Sequence, residues 1–290
     1  MERKILPLKV ASVTVGTILI WGAGSPIATA TEPCGDFGEC KVLIEINSTD
    51  GDIGFHFLMD GDDLNSARID DPNGAKVFEV QAKGPLREQK LTETFAESAE
   101  PLCWPDPEAD EEDLEDMMTL RDFRELWEPG TYVFSGGADG GEKTFGETQL
   151  TYDLPAAPQN LSFDGSAITW TEGNDLGNCA PLANPGNGQE TVADLLDIIA
   201  DPAGVAVAAW EIVLEPDVED GDPTGHLVFS IRVAGDIAPK AVTVPLEYLS
   251  ALPADTPVKI EVGAIGNNDN ATFTEEDGFC VNVDEGCEDD

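Results

Sequence analysis

KVLIEINSTDGDIGFHFLMDGDDLN, residues 41–65, decides how the first half of the chain is read. KVLIEIN (41–47) and IGFHFLMD (53–60) alternate as strands do, and Asp50-Gly51 between them is a hairpin turn signal. In the second run Ile53, Phe55, Phe57 and Met59 share one face, while Gly54, His56 and Leu58 share the other. The spacing predicts a strand with a strongly apolar inner side. The five aspartates, Asp50, Asp52, Asp60, Asp62 and Asp63, raise the question of a cation site. At about 3.3 Å per residue, Asp52 and Asp60 stand roughly 26 Å apart, so the two groups cannot share an ion. Each group reads as an Asp-Gly turn, where Asp is favoured for local backbone hydrogen bonds. Asp60, Asp62 and Asp63 are the candidate calcium ligands, but calcium takes about six to eight oxygens, and the EF-hand spacing is missing. The expectation is no tight calcium site in 47–65 and no cofactor. His56 reads as a strand-surface or packed histidine rather than a base.

Alternation continues in AKVFEVQAKG, GTYVFSGG and KTFGETQLTYDL. Two stretches read as helices instead. One is LREQKLTETFAESAE, ahead of Pro101. The other is PEADEEDLEDMMTLRDFRELW, with Leu114, Met117, Met118, Phe123 and Trp127 near one stripe, an acidic first turn, and Arg121 and Arg124 at its end. LPAAPQNL (154–161) is a proline-rich joint and marks the expected domain boundary. Strands resume in SAITWTEG, VAVAAWEIVLEP, HLVFSIRVAG, KAVTVPLEYL, PVKIEVGAIG and ATFTEEDGFCVNV, a density that reads as a β-sandwich. An insertion, 173–204, carries a short helix in TVADLLDIIAD. Val192, Leu195, Leu196 and Ile199 share its face, Thr191 and Asp194 suggest a capping box, and Pro202 ends it. The fold class expected is mostly β in two domains, a β-rich 31–153 with two short helices and a sandwich over 154–283.

The second half resembles a fibronectin type III domain over about 155–283. NLSFDGSAITWTEG looks like that family's first two strands, with Trp170 as the core tryptophan, and LSALPADTPVKIEVGAI (249–265) is similar to its later corner and strand. Leu252, Pro253 and Thr256 match, but Val258 stands where the family has a tyrosine, so the buried hydroxyl latch of that corner is missing. The insertion is also atypical. The resemblance implies a binding or spacer module. The first half resembles only exported bacterial proteins of no known role.

The chain opens with Arg3, Lys4 and Lys9, then an apolar run to Gly22 and the small-x-small triplet Ala28-Thr29-Ala30. That is the layout of a secretory signal, so 1–30 is expected to be removed and the mature chain to start at Thr31. The run is shorter than the ~20 residues a membrane span needs. Six cysteines in an exported chain suggest disulfides: Cys34, Cys40, Cys103, Cys179, Cys280 and Cys287. Three lie on each side of the joint, so full pairing requires an odd number of bridges across it. Joining near neighbours first leaves Cys103 to meet Cys179. Zinc is the competitor, but no C-x-x-C pair is present and only His56 and His226 are available.

The formal net charge is −43. Such a chain is repelled by nucleic acid and by anionic membranes. EADEEDLEDM, EPDVEDGDPTG (215–225) and the tail 284–290 read as solvated acidic segments. Motifs for a serine nucleophile, a zinc protease or a phosphate loop are missing. Trp104, Trp127, Trp170 and Trp210 are candidates for a sugar-stacking platform, though the last two sit in core-like strands. Two functions stay open: an exported binding or structural module for a protein or cell-surface polymer, or a secreted hydrolase with a carboxylate-based site. Raised carboxyls lining a cleft would favour the hydrolase.

Overall fold

The computed structural model describes residues 34–184, 186, 188–219, 221–284 and 287. The export signal, the start at Thr31 and most of the acidic tail 284–290 lie outside the described residues. The chain is mostly β. β1 (Glu39–Asn47) and β2 (Asp52–Leu64) form the expected hairpin, Asn47 facing Asp52 and Glu39 facing Asp60. The Asn47 side-chain oxygen accepts from the amides of Thr49 and Asp50, which closes the turn. Gly51 completes it at φ 77°, with Trp104 packed where a side chain would stand. Then come β3 (Ser66–Asp70), β4 (Lys76–Gln81), the single turn α1 (Pro85–Gln89) and β5 (Leu91–Glu97). The short helices α2 (Glu111–Asp116) and α3 (Leu120–Leu126) precede β6 (Gly130–Gly137) and β7 (Lys143–Leu150). The second half holds β8 (Gln159–Phe163), β9 (Ala167–Thr171), the single turn α4 (Val192–Leu195), β10 (Val207–Pro216) and β11 (Phe229–Ala234). β12 (Ala241–Thr243), α5 (Leu246–Leu249), β13 (Thr256–Gly266) and β14 (Ala271–Val281) complete it.

One seven-stranded sheet, ordered β11-β10-β13-β14-β1-β2-β5, runs through both halves. Its inner face is covered by two smaller sheets. β4-β3-β6-β7 packs on β1 and β2, and β12-β9-β8 packs on β10 and β13. The alternation explains the two cores. Val42, Ile44, Ile46, Ile53, Phe55, Phe57 and Met59 point inward to the first, beside Ile69, Tyr132 and Phe134. Trp210, Ile212, Leu214, Val258, Ile260 and Val262 point inward to the second, against Ile168 and Trp170. Each of these side chains, fully buried, is worth about 1.5–3 kcal/mol of transfer free energy. The insertion packs on the first core rather than the second: Leu176, Val192, Leu195 and Ile199 are buried there. Arg121 of α3 pins it from outside, bonding Glu190 at 2.7 Å and Asp197 at 2.9 Å.

The halves meet where β1 pairs in parallel with β14, Glu45 facing Ala271 and Asn47 facing Phe273. Asn270, 1% exposed, sits at the head of this seam. Its carbonyl oxygen accepts from Ile44 N at 2.9 Å, and its amide nitrogen donates to the carbonyls of Thr151 (2.9 Å) and Asp153 (3.2 Å). The joint is itself buried: Leu154 is 0% exposed and Ala157 3%. The cysteines form bridges Cys34–Cys40, Cys103–Cys179 and Cys280–Cys287, the second crossing the joint.

Several local readings are corrected. Of LREQKLTETFAESAE only the start is helical; residues 91–97 are strand β5, because pairing with β2 outweighs their helix-forming composition. The acidic helix is broken at Met117, whose ψ of 136° is extended, and restarts at the Thr119 cap. Leu114 is therefore exposed, while Leu120 and Phe123 fill the core. Leu196 likewise faces out, although the Thr191–Asp194 capping box is present. KAVTVPLEYL is strand only to Thr243 and then turns into α5. Residues 60–63 are not a turn. They form a bulge through which β2 passes from the large sheet toward β3.

Asn270→Ala leaves the Ile44 amide and the Thr151 carbonyl without this partner, while the Asp153 carbonyl keeps its bond from Asn268, and is expected to cost about 2 kcal/mol in urea unfolding. A loss below about 0.5 kcal/mol would remove the seam from this role.

Candidate functional site

The outer face of the large sheet carries the unusual chemistry. Hairpin register places Leu43 opposite His56 and Glu45 opposite Gly54, and β5 brings Glu97 opposite His56. Beyond β5 the chain stays strapped to β2. The amide of Phe55 donates to Ser98 Oγ (3.0 Å), that of Ser98 to the Phe55 carbonyl (2.9 Å), and that of Ile53 to the Pro101 carbonyl (3.2 Å). The strap swings Glu100 over Gly54. A methyl at position 54 would lie 2.7 Å from Glu100 Oε1 and 2.8 Å from His56 Nε2, so glycine is what lets these groups close over the strand.

His56 is only 5% exposed despite its outward position, because Glu100 covers it and Phe95 packs edge-on at 5.9 Å. Nε2 lies 2.9 Å from Glu100 Oε1, and Nδ1 lies 3.9 Å from Glu45 Oε2. One donor atom from each of Glu45, His56 and Glu100 falls within 4.8 Å of the others. An imidazole between two carboxylates can hold a proton or bind a divalent ion.

The surroundings are rich in acid. Burial raises the Glu45 carboxyl above its ordinary range; His56 opposes this, and Glu100, Glu211 and Glu97 add to it. Burial, with Glu100 and Asp50, pushes Asp52 up to about 7. Burial also pushes Glu261 to about 7, helped by Glu275, Glu45 and Glu215 and opposed by Lys259. Lys259 is held between Glu215 and Glu275, 3.3 Å from each.

The candidates from the sequence lie elsewhere. The Asp60 carbonyl accepts from Gly38 N, and Asp62 and Asp63 are exposed on the bulge. None of the three joins the group around His56. Trp104 donates to the Asp50 carbonyl and Trp127 stacks on Phe55 at 3.8 Å, so both are engaged in packing. Trp170 and Trp210 are buried together in the second core. Glu45 was findable, since the hairpin register sets it diagonally across from His56. Glu100 was not, because its segment reads as helix. A cavity of about 390 Å³ is lined by Asp153, Asp201, Asn267 and Asn268 among others, and one of about 460 Å³ by Asp217, Glu219, Asp222, His226 and Lys259 among others. Neither is lined by His56, Asp52 or Glu261.

Because the folded-state pKa of Glu261 is raised, its contribution to stability is present below pH ~4.5 and is lost as pH rises through about 7. Glu261→Gln is expected to be as stable as the parent near pH 4. At pH 8 it should be more stable by about 1–2 kcal/mol, after discounting for partial exposure. Urea midpoints at pH 4, 6 and 8 check this, and a gain independent of pH would contradict it.

No family model matches the chain, and no curated protein matches it. A number of solved structures are similar to it, and two of them are adhesion proteins. One is the crystal structure of a tetra-tandem repeat in the extending region of a large adhesion protein, at 11% identity and TM-score 0.25, covering 84% of this chain and 49% of that one. The other is from a structural study of host cell surface retention of a 1.5-MDa bacterial ice-binding adhesin, at 11% identity and TM-score 0.23, covering 88% and 66%. The chain thus spans about half the length of the first and just under two thirds of the second.

Proposed function

We propose that the chain is an exported, rigid binding or structural module that contacts a protein or a cell-surface polymer. Its second half, 154–283, is read as a fibronectin type III-like sandwich with 173–204 inserted, following a β-rich half over 31–153. The strand order supports this: β8, β9 and β12 in one sheet face β10, β11, β13 and β14 in the other. Trp170, Leu252 and Val258 are buried in that core. The hydroxyl absent at 258 has a substitute. Tyr248 of α5 points its hydroxyl at the carbonyls of Leu214 (2.8 Å) and Leu227 (2.9 Å), one of which takes its single proton. Among the described residues no helix is long and apolar enough to cross a membrane.

The observation that carries the functional reading is the Cys103–Cys179 bridge, which ties the first half to the insertion beside the parallel seam. A hinge is what a closing active site needs, and a fixed spacing is what a binding or structural module needs. Disulfides persist in oxidising surroundings, which supports export. The hydrolase reading is favoured by Asp52 and Glu261, both raised to about 7. It is opposed by the cavities of about 390 and 460 Å³, neither of which either residue lines.

Replacing Cys103 and Cys179 together by Ala opens a loop of sequence separation 76 and is expected to cost roughly 4.5 kcal/mol in the chain-entropy view. It should also broaden the pair-distance distribution in small-angle scattering. The oxidised chain is expected to co-sediment with cell-envelope polymer or intact cells and to leave chromogenic glycosides and esters unhydrolysed. Turnover that disappears in Asp52→Asn would replace this reading with the hydrolase, and an unchanged scattering profile in the double variant would remove the rigid-body basis for it.

A further inference from the structure

We propose that Glu45, His56 and Glu100 form a binding site for one divalent first-row transition ion of the zinc class. This goes beyond the module reading and stands or falls separately from it. Three independent elements supply the donors: β1 brings Glu45, β2 brings His56, and the strap after β5 brings Glu100. Their donor atoms already lie within 4.8 Å of one another. A tetrahedral zinc ion, with bonds near 2.0–2.2 Å, needs ligand atoms roughly 3.4 Å apart and takes one imidazole nitrogen, so binding requires the two glutamate side chains to turn toward the same nitrogen of His56.

The placement of the histidine points to a ligand rather than to a simple ion pair. A His–Glu pair is complete with Glu100 alone, at 2.9 Å. Glu45 stands at the other nitrogen, 3.9 Å away and beyond hydrogen-bonding reach, where it brings a second carboxylate into a half-buried place already crowded by Glu97 and Glu211. A dication bound to both carboxylates removes that repulsion, and the surrounding acids raise its local concentration. Gly54 supplies the room: any larger residue pushes Glu100 and His56 apart. Glu100 is 41% exposed at its side chain, so the ion has a route in from solvent.

The donor set selects the metal. An imidazole nitrogen with two carboxylates suits zinc and its neighbours, whereas calcium asks for about six to eight oxygens and magnesium for an octahedron of oxygens. Three protein ligands leave the remaining coordination to water. The aspartates Asp60, Asp62 and Asp63 take no part.

The test is calorimetric titration of the oxidised, chelator-dialysed chain with zinc chloride at pH 7.5, with calcium chloride as competitor. One saturable zinc site per chain is expected. It should weaken at least tenfold in Glu100→Gln and in His56→Asn, remain unchanged in Asp60→Asn with Asp62→Asn, and resist a tenfold excess of calcium. If His56→Asn does not fold, Glu45→Gln takes its place. Nitrogen-15 spectra of the imidazoles, with His226→Asn to assign the two histidines, should show His56 shifting on zinc addition. Absence of saturable zinc binding, binding undiminished in the variants, displacement by equimolar calcium, or a shift confined to His226 each overturns the proposal.

Discussion

The two halves are joined by the parallel pairing of β1 with β14, and one buried amide sits at the head of that seam. Asn270 bonds the Ile44 amide and the Thr151 and Asp153 carbonyls at once, with its own side chain buried. Without it, the Ile44 amide and the Thr151 carbonyl would lose their partner, at about 1–3 kcal/mol each, while Asp153 would keep the bond from Asn268. Around it the Ser48 amide donates to the Phe273 carbonyl, Ser48 and Thr274 share a hydrogen bond at 2.8 Å, and Thr274 donates to the Pro158 carbonyl. This polar strip lies between two apolar cores and turns two short sheets into one long one.

The long sheet separates the chemistry of its two faces. Inward residues are the aliphatic and aromatic partners of two small sheets. Outward residues are where the excess acid collects, and there the sheet's own neighbours half-bury carboxylates that have too few cations to pair with. Lys259 and Arg232 each hold acids on this face, Arg232 pairing with Glu211. Glu45, Asp52 and Glu261 are left to bear the cost as suppressed acidity.

What could be read in advance was whatever depended on near neighbours. The Asp50-Gly51 hairpin and the inner face of β2 followed from alternation, and the Thr191–Asp194 cap from spacing. Glu45 beside His56 was implicit in the hairpin register. What escaped depended on distant partners. Residues 91–97 hold Leu91, Glu93, Phe95 and Glu97 at strand spacing, but their Glu- and Thr-rich composition suits a helix equally well, and only the edge of β2 decides between them. Glu100 follows from that strand, so it was hidden with it. Met117 and Met118 carry no breaker signal, and the split between α2 and α3 comes from how the core receives Leu120 and Phe123. The continuity of the large sheet was also invisible, because β1 and β14 are separated by more than two hundred residues.

That separation sets a schedule for synthesis. When the chain emerges from the ribosome, β1 and β2 can pair at once, but the edge of β1 that will receive β14 stays bare until the last strands arrive. For that interval it offers unpaired amides beside a hydrophobic face, the arrangement most prone to pairing with the wrong chain. Contacts of such long range also form slowly. At a formal net charge of −43, copies with half-made sheets repel one another during that same wait.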